Sequence, residues 1–212
     1  MRGRGAFLFQ VAWLYAGLIG FGVSLALLVK ARLGLDPWDV LNQGIARHLG
    51  IQMGWVVDGV GALVLVAWIP LRQRPGFGTL SNVVVVGLVV NAALGVLPAP
   101  RGLLLRAAML TSGIVLNGVA TGCYIGAGLG PGPRDGLMTG LVARGHSLRV
   151  VRTAIELSVL AVGFALGGSV GVGTVAYALA IGPLVHIFLP RLGLAARDRR
   201  FRTISKGAPC NS

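Results

Sequence analysis

The sequence predicts an all-α membrane protein with six transmembrane helices, arranged as two inverted three-helix repeats that each carry one short non-spanning helix. Three observations predict it. Of 212 residues, 55% are hydrophobic and only 12% charged, with mean hydropathy +0.80, which lies outside the range of soluble globular domains. The apolar residues gather in runs long enough to cross a bilayer. The chain also matches itself when shifted by 96 residues.

A hydrocarbon core about 30 Å thick needs roughly 20 helical residues at about 1.5 Å each, because lipid offers unpaired backbone groups no partners. The first run, 6–29, follows MRGRG. It is longer than a signal-peptide core and has no small-residue cleavage pattern at its end, so it reads as a retained anchor. Segment 37–48 has helical composition but about 18 Å of helix, too short to cross, so it lies on the membrane or re-enters it. Runs 52–71, 79–97 and 103–126 are of spanning length. Segment 133–144 is a second short helix, and the spans 150–166 and 174–189 follow, the former with Arg152 and Glu156 in its first turns. Repeat one is 6–98 and repeat two 103–190, in one polytopic domain over 1–212 whose last part, 191–212, is a basic cytoplasmic tail.

The net charge of +13 gathers at the ends of apolar runs and in the tail, where a bilayer leaves it in water or among anionic headgroups. The lipid bilayer is therefore the expected partner, and nucleic acid is not. With the N-terminus inside, inner segments carry fourteen Lys and Arg and outer segments five (Lys30, Arg32, Arg47, Arg101, Arg106), which puts both termini in the cytoplasm of a bacterial cell. The two cysteines, Cys123 and Cys210, have no metal spacing and no CxxC pattern. No metal or cofactor is expected.

At the shift of 96, ARLGLDPWDVLNQGIA from Ala31 falls on AGLGPGPRDGLMTGLV from Ala127, with seven of sixteen positions identical, among them Gly34 with Gly130, Pro37 with Pro133 and Asp39 with Asp135. Gly17 and Gly22 meet Gly113 and Gly118 upstream, and after a one-residue deletion Gly76 to Thr79 meets Gly171 to Thr174. Three crossings per half force the second half in from the opposite side, a recurring build of secondary transporters, in which matching Gly/Pro breaks point to the site.

GLDPWDVLNQGIA, echoed by GPGPRDGLMTG, resembles the YczE/YyaS/YitT group of bacterial integral membrane proteins over nearly the whole membrane part. The resemblance implies a cytoplasmic-membrane protein of about this size, in a group often described as candidate transporters. The short basic tail, in place of a soluble C-terminal domain, favours the YczE-like branch.

In the first copy Asp36 suits the N-cap, Pro37 the first helical position and Asp39 the third; in the second, Gly132, Pro133 and Asp135 take those places. Asp39 and Asp135 either occupy their own helix N-terminus as capping carboxylates or coordinate a cation, a proton or a substrate amine. Trp38, Asn42 and Gln43 are replaced by Arg134, Met138 and Thr139 in the second copy, an asymmetry in which selectivity could reside. Arg134 either binds an anionic group or follows the positive-inside rule, and Trp38 is an interfacial anchor or a stacking platform. The site residues expected to bind solute or ion are thus Asp36, Trp38, Asp39, Asn42, Arg134, Asp135 and Thr139.

Two further acids, Asp58 and Glu156, are candidates for coupling; Glu156 has Arg152 one turn earlier, so a local ion pair is its simplest reading. His186 reads as interfacial rather than as a proton relay. Glycines every four residues, Gly118 to Gly130 and Gly163 to Gly171, predict close helix packing, and G-x-G-T predicts a turn in which Thr79 and Thr174 cap the last helix of each half.

These features point to a permease for an unidentified small solute with its site between inverted repeats. The alternative is a non-transporting membrane partner that stabilises or regulates another protein. No HExxH, G-x-S-x-G or clustered His and Cys ligands occur, so no enzyme is expected. A homo-oligomer is compatible with the sequence.

Overall fold

The computed structural model describes residues 4–145 and 147–194. Arg2, and the basic tail beyond residue 194 with Cys210, lie outside the described residues. Among the described residues the chain forms helices α1 (Arg4–Ala31), α2 (Pro37–Leu49), α3 (Met53–Leu71), α4 (Phe77–Val96), α5 (Leu103–Gly126), α6 (Pro133–Val142), α7 (Leu148–Ala165) and α8 (Val172–Leu192).

Local chemistry sets the ends of the short helices. Asp36 caps α2, its carboxylate accepting the Asp39 N–H at 2.9 Å, and Pro37 takes the first helical position. Gly132 and Pro133 take the same positions at the start of α6, without a side-chain cap. α6 ends at Val142, short of 144, because the backbone tightens there into i→i+3 bonds from Arg144 to Leu141 and from Gly145 to Val142. α7 begins earlier than the apolar run does, since Ser147 caps it through the Val150 N–H.

The G-x-G-T turns differ from expectation in one respect. Gly76 and Gly171 occupy the cap positions, and Thr79 and Thr174 sit three residues inside. Each threonine hydroxyl reaches back to accept the N–H of its cap glycine, at 3.2 and 3.3 Å.

Five helices, α1, α3, α4, α5 and α8, are long and apolar enough to cross a bilayer. α7 has 18 residues and carries Arg149, Arg152 and Glu156. Leu63, Val66 and Ile69 on α3, Leu103 and Leu104 on α5, and Val175 and Leu179 on α8 are exposed, an apolar surface suited to lipid. The fold is an all-α, multi-pass membrane protein.

Residues equivalent in the repeat register make equivalent contacts. α1 packs on α5 at the centre, flanked by α4 on α1 and α8 on α5. Gly17 on α1 faces Tyr124 and Ala120 of α5, and its counterpart Gly113 faces Leu28 and Ser24 of α1, the counterparts of Tyr124 and Ala120. The glycine stripe of α5 meets α8, with Gly118 against Leu184 and Gly122 against Phe188. Contacts between the halves also cross: Gly78 N–H donates to Leu129 O at 2.8 Å, and Gly173 N–H donates to Leu33 O at 2.7 Å. Gly34 and Gly130, at φ +116° and +130°, sit in these turns with backbone pressed against them, which leaves no room for a side chain.

The short helices pack across the halves, α2 on α7 and α6 on α3. Large and small residues trade places between these two interfaces. Trp68 of α3 fills against Gly136 of α6, whereas in the related contact Gly163 of α7 lies against Val40 and Leu41 of α2. Arginines close both pairs: Arg47 donates to Gly167 O beyond α7 and Arg144 to Pro70 O near the end of α3. Arg106 likewise donates to Ala31 O and Arg32 O at the end of α1. Arg47 and Arg106, two of the five basic residues assigned to outer segments, thus satisfy carbonyls that a helix end leaves free.

The outermost helices break the correspondence. α3 is clasped to α4, with Asp58 Oδ1 accepting the Gly87 N–H at 2.9 Å and Asn91 Oδ1 accepting the Gly54 N–H at 2.8 Å. α7 and α8 make only slight contact, and Gly182, the counterpart of Gly87, has open space around it. Gly87→Ala, whose methyl would meet Asp58 and the Gly54 carbonyl, is therefore expected to cost about 1–3 kcal/mol. Gly182→Ala should unfold at or slightly above the wild-type temperature. Thermal unfolding in detergent checks both, and equal loss in the two variants would contradict the clasp.

Candidate functional site

The chain breaks that begin α2 and α6 meet inside the protein. Arg134, the second residue of α6, extends towards α2, where its Nη2 donates to Asp39 Oδ1 at 3.2 Å and its Nη1 lies 3.6 Å from Asp36 Oδ1. The guanidinium carbon stands 5.2 Å from the centre of the Trp38 ring, a cation–π arrangement. Trp38 and Arg134 are register counterparts, so the asymmetry noted in the sequence becomes a direct contact between the two copies.

Asp39 does not cap its own helix through its side chain; Asp36 holds that position. The Asp39 carboxyl is fully buried, and its Oδ1 accepts from Asn42 Nδ2 at 3.2 Å as well as from Arg134. Asp39 Oδ2, Asn42 Oδ1 and Trp38 Nε1 are buried without a hydrogen-bond partner among the described residues. Such groups are uncommon, because each forfeits its solvation. Asp135 faces the other way, its Oδ2 accepting the Tyr124 hydroxyl of α5 at 2.8 Å.

A cavity of about 250 Å³ opens beside this cluster. Asp36, Trp38, Asn42, Arg134 and Asp135 line it, with Asn117, Thr121 and Tyr124 of α5 and Tyr177 of α8 adding polar groups and Val60, Val64 and Ile181 an apolar wall. Arg152 and Glu156 form the expected local ion pair at 2.8 Å, and both also line the cavity. The cavity extends between α7 and α8, where Gly182 and Val185 border it. A pocket of this size, largely apolar with convergent charged groups, suits a small polar or charged solute.

Two residues expected at the site stand apart from it. Thr139 is exposed, its hydroxyl donating to Gly136 O of its own helix at 3.1 Å. Asp58 is engaged in the α3–α4 clasp and is absent from the cavity wall. His186 is exposed on α8.

Sequence reading missed a buried network beneath the cavity. Asn117 Nδ2 donates to Ser24 Oγ at 2.9 Å and Tyr177 donates to Asn117 Oδ1 at 3.0 Å, linking α1, α5 and α8. Ser24 passes the chain on to Phe21 O. The available signal was a lone amide in an otherwise apolar span, since such groups in lipid-embedded helices find a partner.

Comparison with known proteins places the chain in a wider group. The sequence model of a family described as "Family of unknown function (DUF6198)" matches residues 8–190. An "Uncharacterized protein" of Haemophilus influenzae is 43% identical over 169 residues, 79% of this chain and 78% of that protein. "Uncharacterized membrane protein YczE" of Bacillus subtilis is 36% identical over 182 residues, covering 84% of each chain. "Uncharacterized protein YyaS" of the same organism is 26% identical over 181 residues, 82% of this chain and 89% of that protein. No solved structure matches.

The Asn117 network yields a stability prediction. Asn117→Leu strands the Tyr177 hydroxyl and is expected to cost about 1–3 kcal/mol in thermal unfolding, against a smaller loss for Tyr177→Phe. An unchanged melting temperature for Asn117→Leu would show that the network contributes nothing.

Proposed function

We propose, for a chain that belongs to the DUF6198 family of YczE- and YyaS-like membrane proteins, that it is a permease carrying a small solute through the cavity between its two halves. In this reading α7 is the sixth crossing, the halves are inverted, and α2 and α6 re-enter from opposite sides to meet near mid-membrane. Both termini then lie in the cytoplasm of the bacterial cell. The observation that carries the proposal is the charged cavity at the meeting point of two register-related helix breaks, lined by Asp36, Arg134, Asp135, Arg152 and Glu156. Charged side chains at membrane depth are costly and mark solute or ion paths.

The unequal outer helix pairs support the same reading. α3 and α4 are clasped while α7 and α8 stand apart, and repeats that exchange these two arrangements would open the cavity to alternate sides. Arg152 and Glu156, on the face of α7 beside the gap, are placed to move with it. The repeat-related packing of α1 on α5 is the element that stays fixed.

Orientation is tested by labelling. Gly50→Cys and Gly145→Cys, at the far ends of α2 and α6 in a Cys123→Ser, Cys210→Ser background, should label from opposite faces of the membrane, the first with an impermeant thiol reagent on intact cells and the second with that reagent only on inside-out vesicles. Labelling from one face would refute the inversion. Transport is tested on the solute that most raises the unfolding temperature of the purified protein, since a ligand of the folded state stabilises it. Proteoliposomes should take up that solute, with Asp39→Asn and Asp135→Asn each slowing uptake by about tenfold or more, the equivalent of one charge-assisted contact. No flux, together with one dominant co-purifying protein, would favour a regulatory partner instead.

A further inference from the structure

We infer that Asp39 is a proton carrier, neutral when its acid pairs with the Asn42 amide and anionic when held by Arg134. This rests on the permease reading and names its coupling ion. Two unpaired oxygens carry the argument. Asn42 Nδ2 already donates to Asp39 Oδ1, which leaves Asp39 Oδ2 and Asn42 Oδ1 buried without a donor, at 0% and 1% residue exposure. One proton on Oδ2 donates to Asn42 Oδ1 and closes a cyclic acid–amide pair with two hydrogen bonds, satisfying both groups at once.

Charge balance points the same way. The single Arg134 guanidinium serves both Asp36 and Asp39, so one carboxylate lacks a counter-charge. The other charged or titratable groups nearby are Asp135 on α6, which accepts from Tyr124; Arg152 and Glu156 on α7, which pair with each other; and Tyr177 on α8. The α3 carboxylate, Asp58, is bound to Gly87. None of these supplies a free cation to Asp39.

The proton leaves Oδ2 for water in the cavity, past Asp36 and Asn42, which line it while Asp39 lies just behind. The carboxylate left behind takes the full share of Arg134, which loosens its hold on Asp36. Solute entering beside Asp36 thus meets a site whose charge is set by Asp39.

Infrared spectroscopy of the full-length protein in proteoliposomes tests this with the proton as the only ligand. Wild-type protein should show a protonated-carboxyl band that shifts in D₂O and disappears as pH rises. The band should be lost in Asp39→Asn, kept in Asp58→Asn, and moved to higher frequency in Asn42→Leu, where the amide no longer donates to the carbonyl. The last variant keeps the test open if Asp39→Asn does not fold. The same band in Asp39→Asn, or a carboxylate signal that follows sodium chloride instead of pH, would overturn the inference. Because no solute is present, failure here speaks to Asp39 alone; an intact band in a protein without flux would overturn the permease reading and leave the proton carrier standing.

Discussion

The Arg134 guanidinium joins what the sequence keeps 95 residues apart. It belongs to the second copy of the repeated break, its carboxylate partners belong to the first, and the ring beneath it is its own counterpart in the register. A carboxylate as deeply buried as Asp39 is tolerable only with a compensating charge or proton. Where the two breaks meet, Arg134 therefore offsets the buried charge of the first. The turns on Gly34 and Gly130, the cross-bonds from Gly78 and Gly173, and the arginine caps on α3 and α7 all serve that meeting.

Near-symmetry with local exceptions is the second organising feature. Central contacts repeat closely, glycine for glycine, which suits a rigid spine of α1 and α5. The exceptions fall at the cavity and in the outer helix pairs. Trp38 faces Arg134, Trp68 on one side corresponds to Gly163 on the other, and the Asp58 clasp of α3 on α4 has no equivalent between α7 and α8. A duplicated scaffold supplies the frame, and substitutions at a few positions give it chemistry and two unequal sides.

The fold was largely legible because its signals are local or periodic. Asp36 and Pro37 mark the start of α2, Gly132 and Pro133 that of α6, and long apolar runs need no partner to be recognised. The repeat shift also identified Asp39, Arg134 and Asp135. Their partners were hidden, because the pairing of Arg134 with Asp39 depends on how the two copies face each other, which no local pattern encodes. Asn117 and Tyr177 were missed for the same reason: each is a polar residue in a mostly apolar helix until α1, α5 and α8 come together. Asp58 was nominated as an acid inside an apolar span and Thr139 by its place in the repeat, and helix rotation turned the first to α4 and left the second exposed.

A double-mutant cycle on Asp39→Asn and Arg134→Met, read by thermal unfolding of the purified protein, tests whether the two halves are joined through this ion pair. At a pH high enough to ionise Asp39, Arg134→Met alone should be strongly destabilising, by about 3–5 kcal/mol, because it leaves buried carboxylates uncompensated. In the Asp39→Asn background it should cost much less, giving a coupling of about 1.5 kcal/mol or more. Strict additivity of the two changes would mean that Arg134 and Asp39 do not act on each other, and the account of the site would fail with it.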